Sequence, residues 1–270
     1  MAFRTANLQA LVKFNSDASR KFIQKYEGFV LRKIESEVSE PPHRTFAPSS
    51  FRCSRKQWFR LRGTQPDKVE RPDVALNFSA EVGTARHKVI QQNLKEMLKD
   101  DWIEVEDYFK STGLSFEYAD KQSLPSKSKY ILTKSDDRLE TLVESTDIPV
   151  RFAVDGIIRI DGKIYLLEIK TSDHGAFAEL TDPKPIHVDQ VKCYCALLNL
   201  FNVLMVYEDR QYGDMKCYQV NFSSLDQIDV IEKMKDLQTM AQSNLAPERL
   251  PHGDYMCSNC EYKKKCKEWG

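Results

Sequence analysis

A chain of 270 residues, 41% of them apolar and 10% aromatic, can bury a real core, while 30% charged residues and a mean hydropathy of −0.52 describe a well-solvated surface. No apolar run approaches the ~18 residues of a membrane span, and the N-terminus lacks a basic stretch leading into an apolar one, so the sequence predicts an intracellular protein. Net charge is zero, which argues against a uniformly basic nucleic-acid binder, but residues 1–70 carry fourteen Lys or Arg against seven Asp or Glu, and the tail adds Lys263, Lys264, Lys265 and Lys267. Basic patches steer phosphate backbones whatever the total charge.

In chain order, residues 7–36 read as a helix or helix pair, with Phe22, Ile23 and Tyr26 at helical spacing, and Pro41, Pro42 and Pro48 then impose a loop. Residues 80–99 predict a second helix with Val82, Val89, Ile90, Leu94, Met97 and Leu98 inward, and a strand follows near Leu114–Tyr118. Residues 121–148 are polar and read as a long hairpin tip or mobile loop. Two strands, Arg151–Ile160 and Lys163–Lys170, meet at Asp161-Gly162, a strong hairpin signal. A helix over 186–200, strands at Val203–Tyr207 and Lys216–Phe222, and a helix over 225–243 complete an α/β sandwich around a mixed sheet. The tail from Leu245 has little periodicity and needs something other than a core to hold it.

The most informative stretch is Val154-Asp155-Gly156 followed by Glu168-Ile169-Lys170. Alternate side chains of a strand share a face, so Glu168 and Lys170 point one way and Ile169 the other. The hairpin brings Asp155 alongside Glu168. Two neighbouring carboxylates repel unless a hard cation such as Mg²⁺ or Mn²⁺ neutralises them. An Glu-x-Lys triplet alone is more often a solvated strand face; the preceding Asp-Gly and the hairpin turn the balance toward a site.

These residues resemble the signature of the PD-(D/E)XK nucleases. Gly83-Thr84-Ala85-Arg86-His87 is similar to the G-x-x-x-H helix of the RecB-like branch, and Gln190-Val191-Lys192-Cys193-Tyr194 to its Q-x-x-x-Y motif. The branch includes the CRISPR-associated iron–sulfur exonucleases and their phage relatives. The resemblance spans about residues 45–120 and 150–270, and it implies a restriction-endonuclease-like α/β core over 45–270 behind an N-terminal helical extension, 1–44. It further implies metal-dependent cleavage of DNA, as an exonuclease on single strands or ends, in recombination, repair or phage DNA processing. His87, Asp155, Glu168 and the Ile169 carbonyl would hold the metal, and Lys170 would orient or deprotonate water beside Gln190 and Tyr194. Glu117, in the first strand, is weighed as an additional acid and left out of the set.

Seven cysteines in an intracellular chain are not a disulfide framework. Cys257, Cys260 and Cys266, with Cys53 far upstream, have spacings that suit either zinc or an iron–sulfur centre. The split of one cysteine before the core and three after it resembles the iron–sulfur nucleases, which implies a [4Fe–4S] cluster stapling the tail to the region of Cys53. Arg52, Arg55, Lys56 and Arg60 would then contact DNA, with Trp58 and Phe59 as base-stacking candidates more often used in packing. A structure-specific endonuclease and a non-catalytic nucleic-acid-binding module with structural zinc remain open.

Overall fold

The computed structural model describes residues 17–37, 44–67, 74–121, 128–134 and 139–269. By its contacts the chain divides into residues 1–40 with 68–81, and residues 41–67 with 82–270. The first unit contains helix α1 (Asp17–Glu37), on which Phe22, Ile23, Tyr26 and Phe29 are all exposed. Residues 7–16 of the expected helix lie outside the described residues.

The second unit holds α2 (Ser54–Leu61), two sheets and the helices packed on them. Helix α3 (Val74–Leu98) begins in the first unit and starts six residues earlier than expected. Its inward stripe is narrower than the sequence suggests: Ile90, Leu94 and Leu98 pack with Ile158, Tyr165, Leu167 and Ile169, whereas Val89 and Met97 are exposed. Contact at i, i+4 and i+8 is what a helix makes when one line of side chains meets a sheet.

The chain continues through β1 (Trp102–Ile103), α4 (Val105–Thr112), β2 (Phe116–Tyr118), β3 (Tyr130–Lys134), β4 (Thr141–Ser145), β5 (Val150–Val154), β6 (Gly156–Ile160) and β7 (Lys163–Ser172). Then come α5 (His174–Ala178), α6 (Pro185–Leu198), β8 (Asn202–Asp209), β9 (Met215–Asn221), α7 (Ser224–Gln242) and α8 (Lys263–Glu268). The order β1-β6-β7-β8-β9 makes a five-stranded sheet in which only β7 and β8 run parallel. The order β2-β3-β4-β5 makes a second mixed sheet, parallel only between β2 and β3.

Two expectations change. The polar stretch 121–148 contains β3 and β4, paired antiparallel with Leu132 opposite Val143. Tyr130, Leu132 and Val143 are wholly buried there, so a few inward residues suffice to fix a strand in a polar segment. The strand expected over Arg151–Ile160 is broken at Asp155, and its halves enter different sheets. At Gly156 an added Cβ would lie 2.7 Å from the Trp102 ring, so only glycine lets β1 close over the break. The Asp161-Gly162 turn is as expected, with φ of 49° and 76°, the positive pair that a tight hairpin requires.

Candidate active site and thiol centre

Strand β7 runs through the middle of the five-stranded sheet and carries Glu168 and Lys170 on one face; Ile169, on the other, is buried in the cluster under α3. Asp155 sits at the break between β5 and β6, where local hydrogen bonds replace the missing ladder. Its Oδ2 accepts from the Ile169 N–H at 2.7 Å, and its carbonyl accepts from Gln91 Nε2 at 2.7 Å. Both Asp155 and Glu168 are buried.

His87 reaches this point from α3. Gly83, one turn earlier, faces Thr171 of β7, where a Cβ would come within 3.2 Å of Thr171 Oγ1, so glycine allows the close approach of helix to strand. His87 Nε2 lies 2.9 Å from Asp155 Oδ2 and its Nδ1 3.0 Å from Glu140 Oε1. Burial alone would lower the His87 pKa, but hydrogen bonds and charges from Asp155 and Glu140 outweigh it and raise it to about 10. Without a metal the ring is therefore an imidazolium bridging two carboxylates. Arg86, beside it, is clamped by both oxygens of the buried Glu208, which fixes the same turn of α3.

Glu168 pairs with Lys170 Nζ at 2.5 Å. Burial, helped by the charge of Asp155 and opposed by Lys170, pushes the Glu168 carboxyl up to about 7. Burial works against the Lys170 ammonium, yet Glu168 and Asp155 hold its pKa above the ordinary lysine value. Lys170 also donates to Gln190 Oε1 at 3.1 Å, and Gln190 Nε2 donates to the Tyr194 hydroxyl at 2.7 Å. Tyr194 is in turn stacked on Phe152, 4.7 Å between centroids. Gln190 and Tyr194 thus form one chain of contacts ending on Lys170.

The donor set suits a hard divalent cation. Ligand atoms of His87, Glu140 and Asp155 all lie within 4.8 Å of one another, with buried Glu168 close enough to feel the Asp155 charge. Three carboxylates against two cationic side chains leave a surplus of negative charge in a partly dry site, which a Mg²⁺- or Mn²⁺-sized ion would neutralise. Sequence reasoning missed Glu140, because it falls in the polar stretch read as a loop. Glu117, weighed in the sequence and left out of the set, accepts from the Ser128 N–H at 3.2 Å.

Cys53 is the N-cap of α2, its sulfur accepting from the Lys56 N–H at 3.4 Å. Burial, and then the charges of Cys260, Cys257 and Cys266, raise its pKa, so the four thiols are electrostatic neighbours across 213 residues of sequence. Of the basic residues expected to meet DNA, three instead hold chain segments. Arg55 is buried with Nε donating to Pro247 O at 2.5 Å, Lys56 pairs with Glu261 at 2.6 Å, and Arg60 donates to Thr45 O at 3.2 Å; Arg52 stays exposed. Trp58 and Phe59 are wholly buried, Phe59 stacked on Tyr262 at 5.1 Å, so neither is presented for base stacking. Arg55 Nη1 is buried without a partner, and the Arg55 charge lowers the Cys266 thiol against the burial that raises it. The spare donor thus lies near Cys266; among the described residues only the ligand atoms of His87, Glu140 and Asp155 gather within 4.8 Å of one another, so the four thiols do not close into such a set.

Among the described residues no helix is long and apolar enough to cross a membrane. No family model matches the chain, and no curated protein does. Among solved structures the chain is remotely similar to the crystal structure of SSO0001, with a TM-score of 0.44 and 16% identity over 89% of this chain and 96% of that one. It is similar also to LHK-Exo in complex with dAMP, with a TM-score of 0.38 and 15% identity over 80% of this chain and 85% of that one. A third likeness is to an alkaline exonuclease, LHK-Exo, from Laribacter hongkongensis, with a TM-score of 0.39 and 12% identity over 87% of this chain and all of that one. These likenesses are remote, and the functional reading rests on the residues of the site.

Proposed function

We propose that this protein is a metal-dependent DNA nuclease of the PD-(D/E)XK type, acting as an exonuclease on single strands or ends, with a structural [4Fe–4S] cluster held by Cys53, Cys257, Cys260 and Cys266. The observation that carries the nuclease reading is the convergence of Asp155, Glu140 and His87 on one point, with Glu168, paired to Lys170, within reach of the Asp155 charge. His87, Glu140, Asp155, Glu168 and the Ile169 carbonyl would hold Mg²⁺ or Mn²⁺. When bound, the ion would neutralise the carboxylates and polarise a phosphoryl oxygen as a Lewis acid.

The remaining work falls to Lys170 and its supports. Its raised pKa keeps it charged, so it serves to orient the attacking water and to offset charge on the five-coordinate phosphorus rather than to take the proton. Glu168 and Gln190 fix the ammonium from two sides, and Tyr194 fixes Gln190. His87 must give up a proton before its imidazole can bind a metal, so metal binding at this site releases protons.

The direct test is incubation of purified protein with an end-labelled single-stranded DNA in Mg²⁺, Mn²⁺ or EDTA. Release of mononucleotides or short fragments in either metal, abolished by EDTA, is expected. Intact DNA in all three would overturn the reading.

A further inference from the structure

The helix face that presents Gln190 and Tyr194 carries one more polar residue, His187, three and seven positions before them on α6. Its Nδ1 lies 2.9 Å from the Tyr207 hydroxyl, and the two rings stack at 5.7 Å. Tyr207 is almost fully buried and is the β8 neighbour of Lys170 in the parallel register. His187 therefore stands beside the lysine of the candidate site, one strand over.

The hydrogen bonding favours one tautomer of the ring. The Tyr207 oxygen already accepts from the Lys184 N–H at 3.2 Å, and burial raises the phenol's pKa, so it keeps its proton. A phenol has one hydrogen to donate, and Nδ1 is the acceptor in range. His187 then carries its own proton on Nε2. Burial first, then the positive charges of Lys170 and Lys184, push its pKa down to about 3, so a second proton is not gained near neutral pH.

We propose that His187 is a substrate-binding residue whose neutral Nε2–H donates to a non-bridging phosphate oxygen of the DNA strand next to Lys170. The proposal rests on the nuclease reading above and adds a contact to it. A neutral donor suits this position, because another cation would be repelled by Lys170 and Lys184 and would compete for Glu168. Tyr207 acts through His187, as the positioning residue that holds the tautomer.

Two measurements test this. Binding of a fluorescein-labelled single-stranded oligonucleotide is read by anisotropy in EDTA, where the DNA stays whole, for the wild type, His187→Phe and His187→Gln. Phenylalanine keeps a ring on Tyr207 without a donor, and glutamine restores a neutral donor. Loss of one hydrogen bond to a charged phosphate predicts about tenfold weaker binding for His187→Phe and less than about threefold for His187→Gln. Nitrogen-15 NMR of the wild type should show His187 neutral and protonated on Nε2. Wild-type affinity in His187→Phe, a proton on Nδ1, or no DNA binding by the wild type would each overturn the proposal. If the wild type binds but does not cleave in metal and the His187→Phe defect persists, the nuclease reading falls and this contact stands.

Discussion

The two candidate centres are held in opposite ways. Around Asp155 the side chains project from a strand, from a packed helix, from the break between β5 and β6 or, for Glu140, from the residue before β4, and the polar groups satisfy one another. The thiol centre joins a capped helix to residues 245–269, whose regular structure is a single turn over Tyr255–Cys257 and the six-residue α8. That tail is fastened by Lys56–Glu261, by the Asp67 carboxylate on the Lys264 N–H, and by Tyr262 under Phe59. The first centre is already organised by its own hydrogen bonds and ion pairs. Under the proposed reading the other would draw on its cluster to complete the fold, because binding energy at a structural site is folding energy.

Breaking each centre should therefore give different failures. Asp155→Asn, which keeps an acceptor for the Ile169 N–H but removes the charge, should cut DNA cleavage by at least ~10²-fold with an unchanged circular dichroism spectrum. Cys266→Ser should instead yield colourless protein that has lost its iron, about four per chain in the wild type, with the tail beyond residue 245 open to protease. Zinc in place of iron in anaerobically purified wild-type protein would remove the cluster and leave the nuclease reading intact. Glu140→Gln and His87→Ala should raise the Mn²⁺ concentration needed for half-maximal activity by about tenfold, and an unchanged metal requirement in both would place the ion elsewhere.

A subtler contrast lies in pH. Glu168 is raised from 4.5 to about 7 and His87 from 6.5 to about 10. In both cases the folded chain binds its proton more tightly than the unfolded chain. The stability this lends is complete below the unfolded values and is lost as pH rises through the folded ones, about 7 and about 10. The melting temperature of the metal-free protein should thus fall with rising pH, Mn²⁺ should restore more of it at high pH than at low, and Glu168→Gln should flatten the lower part of the slope. A melting temperature that rises over that range would contradict the charge balance described here. Smallest of all, Cys193→Ser, buried on α6 and outside the set of Cys53, Cys257, Cys260 and Cys266, should leave the iron content unchanged.

Much of the candidate site's geometry is legible in the sequence because it depends on short-range rules. Strand alternation sets Glu168 and Lys170 on one face, the Asp161-Gly162 turn sets Asp155 opposite, and helical spacing joins Gln190 to Tyr194. What is not legible depends on partners distant in sequence. Glu140 enters the site only because β4 pairs with β5, and nothing in a polar stretch announces that pairing. The break at Asp155 follows from Trp102 covering Gly156, a contact across 54 residues. Arg55, Lys56 and Arg60 read as a DNA-binding patch until their acceptors, Pro247 O, Glu261 and Thr45 O, are seen.

The central claim is that a carboxylate-bound ion and a charged lysine together cleave DNA, and Lys170 is the residue on which Glu168, Gln190 and the neighbouring Tyr207 converge. Single-turnover cleavage of end-labelled single-stranded DNA in Mn²⁺ should therefore be compared between the wild type and Lys170→Ala, with DNA affinity in EDTA measured alongside. The account predicts a rate lower by at least ~10²-fold at nearly unchanged affinity; a Lys170→Ala rate close to that of the wild type would contradict it.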